Sequence, residues 1–485
     1  MKKQRGADVL ARTLAAAGVR HVFTLSGNHV MPVFDAALDA RLNLIHVRHE
    51  AAAVHMADAW GRLTGEPGIA LVTGGPGHAN ALGALYTALA AQSPMLLISG
   101  HAPLDELGKG AFQEMAQADL AVPLTVASWT AQSADTLGAE VARALREARK
   151  GPVHLSVPND VLDASTESEI PRVEVPTPTT GKIPQELTNA KRPLVIAGPA
   201  AMRIRRSGGM PVIGMESPRG VNDPSLGKLA QVLAQADVVL LLGKPVDFTL
   251  KFGNAFAPDC RILKADPAQV LPEPNASQRA WFEEVSAALR YRPAEWMELR
   301  SQPGAPLHPV EVCREVQKLL DERGAVLVCD GGEFGQWAQA CLNAPRRIIN
   351  GVAGSIGSAL PFAAAAKLAF PDAPVVALLG DGTLGFHLSE IDTAVRYGLG
   401  YVAVIGNDAC WNAEHQIQLR AYGAARAHGL DLLPTRYGAV AAALGAQGAD
   451  VSTTEGLGSA LQRFAAAGKP ALVNVMIERI AAPRY

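Results

Sequence analysis

Two polar residues, Asp381 and Asn407, each come at the end of an apolar run with the composition of a buried parallel strand. The runs are Val375–Leu379 and Tyr401–Ile405. If the two strands are parallel neighbours, both side chains lie at adjacent carboxyl ends, where open α/β sheets bind ligands. Their oxygens, together with a free loop carbonyl such as that of Ala409, suit Mg²⁺ that shares its shell with substrate phosphates. The pattern therefore predicts a metal site for a phosphorylated ligand.

The segment between the two runs predicts a single helix, Thr383–Tyr397, because its apolar residues recur at the spacing of one helical face. The glycine turn before it, with Gly380 and Gly382, and the helix start at Thr383 would present backbone N–H groups to phosphates. The alternative interpretation is an ordinary βαβ unit in which Asp381 caps the helix. A second strand that ends in Asn favours the metal site.

Composition limits the class of protein. The 485 residues are 48% hydrophobic, which allows a large core and roughly three domains of about 150 residues. A net charge of −2 gives no basic surface for nucleic acid or an anionic membrane. No apolar run approaches the roughly 18 residues of a membrane span. Asp8 and Arg12 interrupt the N-terminal apolar segment, so we expect no signal peptide and a cytoplasmic protein. The five cysteines include no C-x-x-C pair, which predicts free thiols.

Helical stretches alternate with short β-rich runs along the chain, which predicts an α/β protein with doubly wound parallel sheets. A segment rich in Pro and Thr, Pro171–Pro184, is predicted to be a linker. The strand candidates are Val22–Leu25, Leu44–Val47, Ile69–Val72, Met95–Ile98, Val153–Val157, Leu194–Ala197, Val238–Leu242, Arg261–Leu263, Val326–Cys329, Ala471–Val475 and the two runs named above.

A Gly-Asp-Gly turn, one helix and a strand that ends in Asn resemble the signature of thiamine diphosphate (ThDP) enzymes. The chain is similar over nearly its whole length to the superfamily of acetolactate synthases, benzaldehyde lyase and 2-hydroxyacyl-CoA lyases. The resemblance implies a pyrimidine-binding domain at 1–170, a middle domain at 185–295 and a diphosphate-binding domain at 306–485. Four N-terminal motifs agree with it: Gly27-Asn28-His29, Arg48-His49-Glu50, Gly75-Pro76-Gly77-His78-Ala79-Asn80 and Ala111-Phe112-Gln113-Glu114.

The resemblance implies roles for the residues that match family motifs. Mg²⁺ would be held against the diphosphate by Asp381, Asn407 and the carbonyl of Ala409, although Gly406 stands where the family usually has a first Asn. Glu50 would bond N1′ of the aminopyrimidine and act as a catalytic acid/base in the removal of the weakly acidic C2 proton. The other cofactor-binding residues that it implies are Asn80, Ile356, Gly380, Gly382 and Thr383.

The substrate end has weaker signals. By resemblance, His29 and Gln113 are candidate catalytic residues that shuttle protons or stabilise an oxyanion. His78, Trp411, Asn412 and Gln416 are further candidates for the lining, with a loop or helix-surface role as the alternative for each.

The middle domain departs from the family because only twelve residues, PAAMRIRRSGGM, separate Gly198 from Pro211. A parallel crossover needs a dozen residues or more and normally a helix, so little helix fits there. In the superfamily this domain helps to bind FAD, ADP or CoA. The short segment makes FAD doubtful as a cofactor and puts ADP and CoA in doubt as well.

The expected function is an acetolactate synthase-like enzyme that makes or breaks a carbon-carbon bond beside a carbonyl of a small-molecule substrate. A 2-hydroxyacyl-CoA or acyloin lyase, or a simple 2-keto acid decarboxylase, is the alternative. A regulatory protein on this fold would lack Glu50, Asp381 or Asn407, and a nicotinamide enzyme would carry G-x-G-x-x-G after a strand. The resemblance further implies a homodimer or homotetramer with shared active sites.

Overall fold

The computed structural model describes residues 3–173, 185–204 and 209–483, so most of the predicted linker Pro171–Pro184 lies outside the described residues. The strands, in chain order, are β1 (Gln4–Arg5), β2 (His21–Thr24), β3 (Asn43–His46), β4 (Gly68–Val72), β5 (Met95–His101), β6 (Ala127–Thr130), β7 (Val153–Pro158), β8 (Ser165–Thr166), β9 (Pro193–Ala197), β10 (Ile213–Gly214), β11 (Val238–Leu242), β12 (Arg261–Ala265), β13 (Val326–Cys329), β14 (Arg346–Ile349), β15 (Val375–Gly380), β16 (Val402–Asn407), β17 (Gln447–Val451) and β18 (Ala471–Met476).

Helices fill most of the segments between these strands. They are α1 (Gly6–Ala16), α2 (Met31–Asp39), α3 (Glu50–Thr64), α4 (Pro76–Ala90), α5 (Gln117–Ala121), α6 (Ala134–Glu147), α7 (Asn159–Asp163), α8 (Gln185–Asn189), α9 (Pro199–Met202), α10 (Leu229–Leu233), α11 (Ala276–Leu289), α12 (Pro309–Leu320), α13 (Gly332–Cys341), α14 (Ala359–Ala369), α15 (Asp381–His387), α16 (Glu390–Arg396), α17 (Asn412–Tyr422), α18 (Tyr437–Ala443) and α19 (Thr454–Ala467).

The chain forms two compact units. The first consists of Met1–Pro176, Leu360–Pro371 and His387–Leu399. It contains a parallel six-stranded sheet in the order β3-β2-β4-β5-β7-β6 and a short antiparallel pair, β1 with β8. The central strand β5 is buried along its whole length, as expected for a parallel strand covered on both faces.

The second compact unit contains the remaining two sheets. A four-stranded parallel sheet has the order β10-β9-β11-β12, and a six-stranded parallel sheet has the order β14-β13-β15-β16-β18-β17. The predicted α/β fold class with doubly wound parallel sheets is confirmed. The bounds of the three predicted domains remain a prediction.

The two six-stranded sheets share one strand order, since each runs 2-1-3-4-6-5 when its own strands are numbered along the chain. In such sheets the direction of winding reverses between strands 1 and 3, and ligands bind at the carboxyl ends there. This switch point lies between β2 and β4 in the first unit and between β13 and β15 in the second. The fold thus marks one candidate site in each unit.

The segment between β15 and β16 differs from its prediction. Strand β15 runs through Gly380 and helix α15 begins at Asp381, so no separate glycine turn exists. The predicted single helix Thr383–Tyr397 is two helices, α15 and α16, which are interrupted at Leu388 and Ser389. The apolar spacing continues across the interruption, which explains why the sequence did not reveal it.

The four-stranded sheet has a very short crossover after β9. Only the four-residue helix α9 and a loop separate β9 from its parallel neighbour β10, and residues 205–208 of that loop lie outside the described residues. The expectation that little helix fits between Gly198 and Pro211 is therefore confirmed for the described part.

Within the described parts of the chain, no helix is both long enough and apolar enough to cross a membrane. All five cysteines are free thiols.

Candidate active site

Strands β15 and β16 place Asp381 and Asn407 next to each other. The strands are parallel neighbours, and Gly380 pairs in register with Gly406. Asp381 follows the first glycine as the first residue of α15, and Asn407 follows the second as the last residue of β16. The predicted adjacency of the two strands is confirmed.

Asp381 is a buried carboxylate without a full set of partners. Its Oδ2 is inaccessible to solvent and accepts no hydrogen bond from any described residue. Burial raises the pKa of Asp381 to about 6, against the lowering effect of backbone N–H groups, of which that of Gly382 is the largest. The neighbouring Asp408 is also affected, since burial and then the charge of Asp381 raise the pKa of Asp408 to about 7. A buried carboxylate with an unpartnered oxygen, such as that of Asp381, favours a bound cation.

Asn407 is fully buried, and its amide is held in one orientation. Nδ2 donates to Thr435 O at 3.0 Å and to Asn474 Oδ1 at 3.1 Å, so the amide oxygen is directed at the loop, where it accepts from Ala409 N at 3.1 Å. Ala409 has a φ of +52°, a left-handed conformation that is strained for a residue with a side chain.

The predicted free carbonyl at Ala409 is not free. Its oxygen accepts a hydrogen bond at 3.0 Å from Arg479 Nη2. The same nitrogen also donates to Asp408 O, and Nη1 of Arg479 donates to Asp431 Oδ1. Leu432 N donates to the carbonyl oxygen of Ala409 at 2.8 Å, so both of its lone pairs are occupied, and a cation binds there only in place of one of these hydrogen bonds. Arg479 therefore fixes this loop, and no motif in the sequence indicated its role.

A cavity of about 70 Å³ lies beside Asp381. Its lining includes the loop after β13 and the residues that follow β15 and β16: Gly331–Phe334, Ile356, Gly380–Thr383, Gly406, Asp408 and Cys410–Glu414. Two glycines beside this cavity have no space for a side chain. A Cβ on Gly382 would lie 2.8 Å from the ring of Trp411, and one on Gly406 would lie 2.4 Å from the ring of Phe334. The space is enough for a cation with a few waters or phosphate oxygens.

Ile356 lines this cavity and is only partly buried, so it is not an ordinary core residue. Asp330, at the end of β13, holds its loop. The buried carboxylate accepts from Gly357 N at 2.9 Å and from Ala359 N at 3.0 Å. Burial raises the pKa of Asp330 to about 6, although these N–H groups oppose the shift. Sequence reasoning missed Asp330, whose available signal was an Asp-Gly-Gly triplet directly after an apolar strand.

Of the other candidates for the lining, two lie at the cavity and one lies behind it. Trp411 and Asn412 line the cavity, and Asn412 Nδ2 donates to Ile480 O at 3.0 Å. Gln416 is buried and donates to Asn412 Oδ1 at 3.0 Å. Thr383 Oγ1 donates to Gly380 O at 3.0 Å and so closes the first turn of α15.

Glu50 is the first residue of α3 in the other unit, where His49 caps the helix by accepting from Ala51 N at 3.1 Å. Its side chain is 8% exposed, and Asn80 Nδ2 donates to Glu50 Oε2 at 3.0 Å. A Cβ on Gly77 would lie 3.3 Å from Oε1, so the absence of a side chain there leaves room beside the carboxylate. The structure thus brings Glu50 and Asn80 together.

His29 and Gln113 both lie at the switch point between β2 and β4. His29 Nδ1 is 3.3 Å from Thr73 Oγ1, and a Cβ on Gly74 would lie 3.2 Å from the same nitrogen. Gln113 packs against Gly75, where a Cβ would lie 2.8 Å from that of Gln113. Gln113 Oε1 is buried and accepts no hydrogen bond from the part of the chain that is described. Its φ of +59° places it in the left-handed region.

Gln117 holds the same turn and was missed by sequence reasoning. Its Oε1 accepts from Gly75 N at 2.7 Å, and its Nε2 donates to Gly100 O and to Ser156 Oγ, both at 3.0 Å. No spacing or motif in the sequence distinguishes this glutamine.

His78 does not line a substrate cavity. It is completely buried, and its Nδ1 is 2.8 Å from Ser99 Oγ, which is in turn 3.1 Å from Nε2 of His154. Burial lowers the pKa of His78 to about 4. It is therefore a neutral residue in the buried face of α4, which differs both from the predicted lining and from the loop or helix-surface alternative.

The residues in the second unit fit a divalent cation and a phosphorylated cofactor. The donor set combines one carboxylate with an unpartnered oxygen and one oriented amide, and the carbonyl of Ala409 would join them by giving up one of its two hydrogen bonds; all three are hard oxygen ligands. In the described residues there is no group of three or more His, Cys, Asp or Glu side chains that could hold a metal alone. A metal here would therefore share its shell with phosphate oxygens or water.

Comparisons with known proteins agree with this arrangement. Residues 4–120 match the family described as thiamine pyrophosphate enzyme, N-terminal TPP binding domain, and residues 330–475 match its C-terminal TPP binding domain. A probable acetolactate synthase of Mycobacterium bovis and the acetolactate synthase large subunit IlvG of Mycobacterium tuberculosis are each 34% identical over 98% of this chain and 96% of their own. Human 2-hydroxyacyl-CoA lyase 2 is 29% identical over 98% of this chain and 90% of its own.

The chain belongs to the thiamine pyrophosphate enzyme family, and it is an enzyme of the acetolactate synthase-like type that uses thiamine diphosphate.

Proposed function

We propose that the protein is a Mg²⁺-dependent ThDP carboligase or lyase that acts on the carbonyl of 2-keto acids or 2-hydroxy ketones, as an acetolactate synthase does. The observation that carries the metal part is the unpartnered Oδ2 of Asp381 beside the oriented amide of Asn407. Together with the carbonyl of Ala409, these oxygens would hold Mg²⁺ against the diphosphate of the cofactor.

When bound, ThDP supplies a thiazolium carbon that adds to a carbonyl carbon and accepts the electrons of the broken carbon-carbon bond. Glu50 holds and returns a proton at N1′ of the pyrimidine. Asn80 donates to Oε2 of Glu50, which fixes one carboxylate oxygen and leaves Oε1 for the cofactor. Ile356, on the loop that Asp330 holds, would support the bound cofactor with a bulky apolar side chain.

His29 and Gln113 are the proposed partners of the substrate. Burial lowers the pKa of His29, so the imidazole is neutral near pH 7 and can accept a proton. Gln113 keeps a buried amide oxygen without a partner among the described residues, which suits a hydrogen bond from a substrate hydroxyl. The two side chains pack against neighbouring glycines, His29 against Gly74 and Gln113 against Gly75.

A second candidate function is the cleavage of 2-hydroxyacyl-CoA or acyloin substrates, with simple 2-keto acid decarboxylation as a third. The observation that favours cleavage is the similarity to human 2-hydroxyacyl-CoA lyase 2 over 98% of the chain. A product screen with pyruvate, benzoylformate, benzoin and a 2-hydroxyacyl-CoA separates the candidates. Acetolactate from pyruvate supports the first proposal, whereas an aldehyde released only from benzoin or from the thioester supports cleavage.

We further propose a homodimer or homotetramer with shared active sites. The residues assigned to the pyrimidine lie within 4–120 and those assigned to the metal within 330–475. A closed dimer with an isologous interface would give each cofactor Glu50 from one subunit and Asp381 from the other.

A further inference from the structure

Helix α16 binds the main chain that leads to Glu50. Its residues and the following Tyr397 make hydrogen bonds to backbone groups within residues 44–49, all inside the first compact unit. Side chains that bind only other side chains adjust to one another, but side chains that bind backbone atoms fix the path of the chain. These contacts therefore bear on the position of the residue that comes next, Glu50.

The first contacts are on strand β3, which is at the edge of its sheet and pairs only with β2. The hydroxyl of Tyr397 accepts from His46 N at 2.8 Å and donates to Leu44 O at 3.0 Å. Arg396 Nη2 donates to His46 O at 2.6 Å. These two side chains occupy the open edge of β3 in place of another strand.

Glu390 makes the contact nearest to the site. It is 1% exposed, its Oε1 accepts from Arg48 N at 3.0 Å, and its Oε2 accepts from Thr393 Oγ1 at 2.6 Å. Burial raises the pKa of Glu390, while the Thr393 hydroxyl and the backbone N–H groups of Arg48 and His49 oppose the shift. A buried carboxylate is costly unless its oxygens are bonded, and here the bonds go to the two residues just before Glu50.

We propose that Glu390 is a positioning residue, which sets the place of the Glu50 carboxylate by holding the main chain of Arg48 and His49. His49 is the N-cap of α3 and Glu50 is its first residue, so a shift of this main chain moves Glu50 with it. The inference rests on the proposed role of Glu50. A displacement of about 1 Å at a reacting group can cost about 100-fold in rate.

The test compares Glu390→Gln with the control Asp392→Asn. Gln keeps the size of Glu but removes its charge and one of its two acceptor oxygens, which weakens the hold on the main chain of Arg48 and His49. Asp392 lies on the same helix and contacts the exposed guanidinium of Arg48 at 3.4 Å. It also accepts from Arg396 Nε at 2.8 Å, a bond that the amide oxygen of Asn can still accept. The readouts are hydrogen–deuterium exchange at C2 of bound ThDP, the Kd for ThDP at saturating Mg²⁺, and the unfolding temperature.

Glu390→Gln is expected to slow C2 exchange by about tenfold or more and to keep the Kd for ThDP within about threefold. Asp392→Asn is expected to exchange at the wild-type rate. The double variant Glu50→Gln/Glu390→Gln is expected to exchange no more slowly than Glu50→Gln alone, because Glu390 acts through Glu50. A purely structural residue would lower the unfolding temperature and slow the double variant further.

Wild-type exchange in Glu390→Gln, with slow exchange in Glu50→Gln, would overturn the positioning role and leave the proposed function intact. Wild-type exchange in Glu50→Gln would overturn the proposed role of Glu50 and the inference with it. If Glu390→Gln does not fold, Glu390→Asp replaces it, because the shorter side chain keeps the charge but withdraws the carboxylate from Arg48 N. Slower exchange is expected there as well, and an unchanged rate would count against the proposal.

Discussion

Asp381 and Asn407 lie side by side at the carboxyl ends of two neighbouring parallel strands, β15 and β16, because the glycines just before them are register partners. The amide of Asn407 is oriented by two further hydrogen bonds, and Asp381 Oδ2 is buried without a partner in the described part of the chain. Both residues are therefore held in place before any cation binds.

Asp381→Ala is expected to abolish Mg²⁺-dependent ThDP binding, because the cation loses its one anionic protein ligand. Isothermal titration calorimetry with ThDP and Mg²⁺ measures the effect. Asp408→Asn is the matched control, since it removes the adjacent buried carboxyl group, which is outside the proposed ligand set. Its Kd is expected to stay within about threefold of wild type, less than the 10- to 100-fold typical of outer-shell ligand partners. Unchanged affinity in Asp381→Ala would exclude the metal assignment.

Gly382→Ala is expected to weaken ThDP binding by about tenfold or more, because the new Cβ would lie 2.8 Å from the Trp411 ring and push it into the cavity. Gly385→Ala on the same helix is the control, since its Cβ would meet no atom within 4 Å. Equal Kd values for the two variants would show that the cavity beside Trp411 does not bind the diphosphate.

The central strands of each sheet could be predicted because they are short, apolar and almost fully buried. Six strands were not predicted. Three of them, β1, β8 and β10, have only two residues each, and the other three, β6, β14 and β17, lie at the edges of the six-stranded sheets, where half of each strand or more is partly exposed. Partial exposure allows Ser, Arg, Gln and Asp into these strands, so neither an apolar run nor a strict alternation remains.

The candidate site residues also fall into two groups, those that the sequence predicted and those found only in the structure. Asp381, Asn407 and Glu50 belong to recognisable sequence motifs, so they could be predicted as site residues from the sequence. Asp330, Gln117 and Arg479 act through bonds to backbone groups that are distant in sequence, such as those from Gln117 to Gly75 and Gly100. A side chain that binds backbone atoms places no demand on the type of residue at the other end. Such residues become visible only in the structure.

The purified protein is expected to contain no stoichiometric FAD. The crossover between β9 and β10 has only a four-residue helix in its described part. The alignment with the Mycobacterium bovis relative spans 534 positions, 49 more than the 485 residues of this chain, so segments of that relative are missing here. The absorbance spectrum of the protein after denaturation checks this, and release of one FAD per chain would contradict it.

Mixing inactive Glu50→Gln chains with inactive Asp381→Ala chains is expected to restore part of the activity. If each site takes Glu50 from one subunit and Asp381 from the other, one of the two sites in a heterodimer has both residues intact. Each variant exchanged with itself is the control, and mass spectrometry of the intact oligomer verifies subunit exchange. No recovery after verified exchange would favour a cofactor held within one chain.

We propose that Glu50 drives removal of the C2 proton of ThDP, whose diphosphate is held at Asp381. The most direct measurement is hydrogen–deuterium exchange at C2, followed by NMR after acid quench, in wild type and Glu50→Gln saturated with ThDP and Mg²⁺. Glu50→Gln is expected to retain the cofactor and to exchange about 10²- to 10⁴-fold more slowly, because an amide cannot transfer the proton at N1′. Exchange at the wild-type rate in a fully loaded variant would contradict the account.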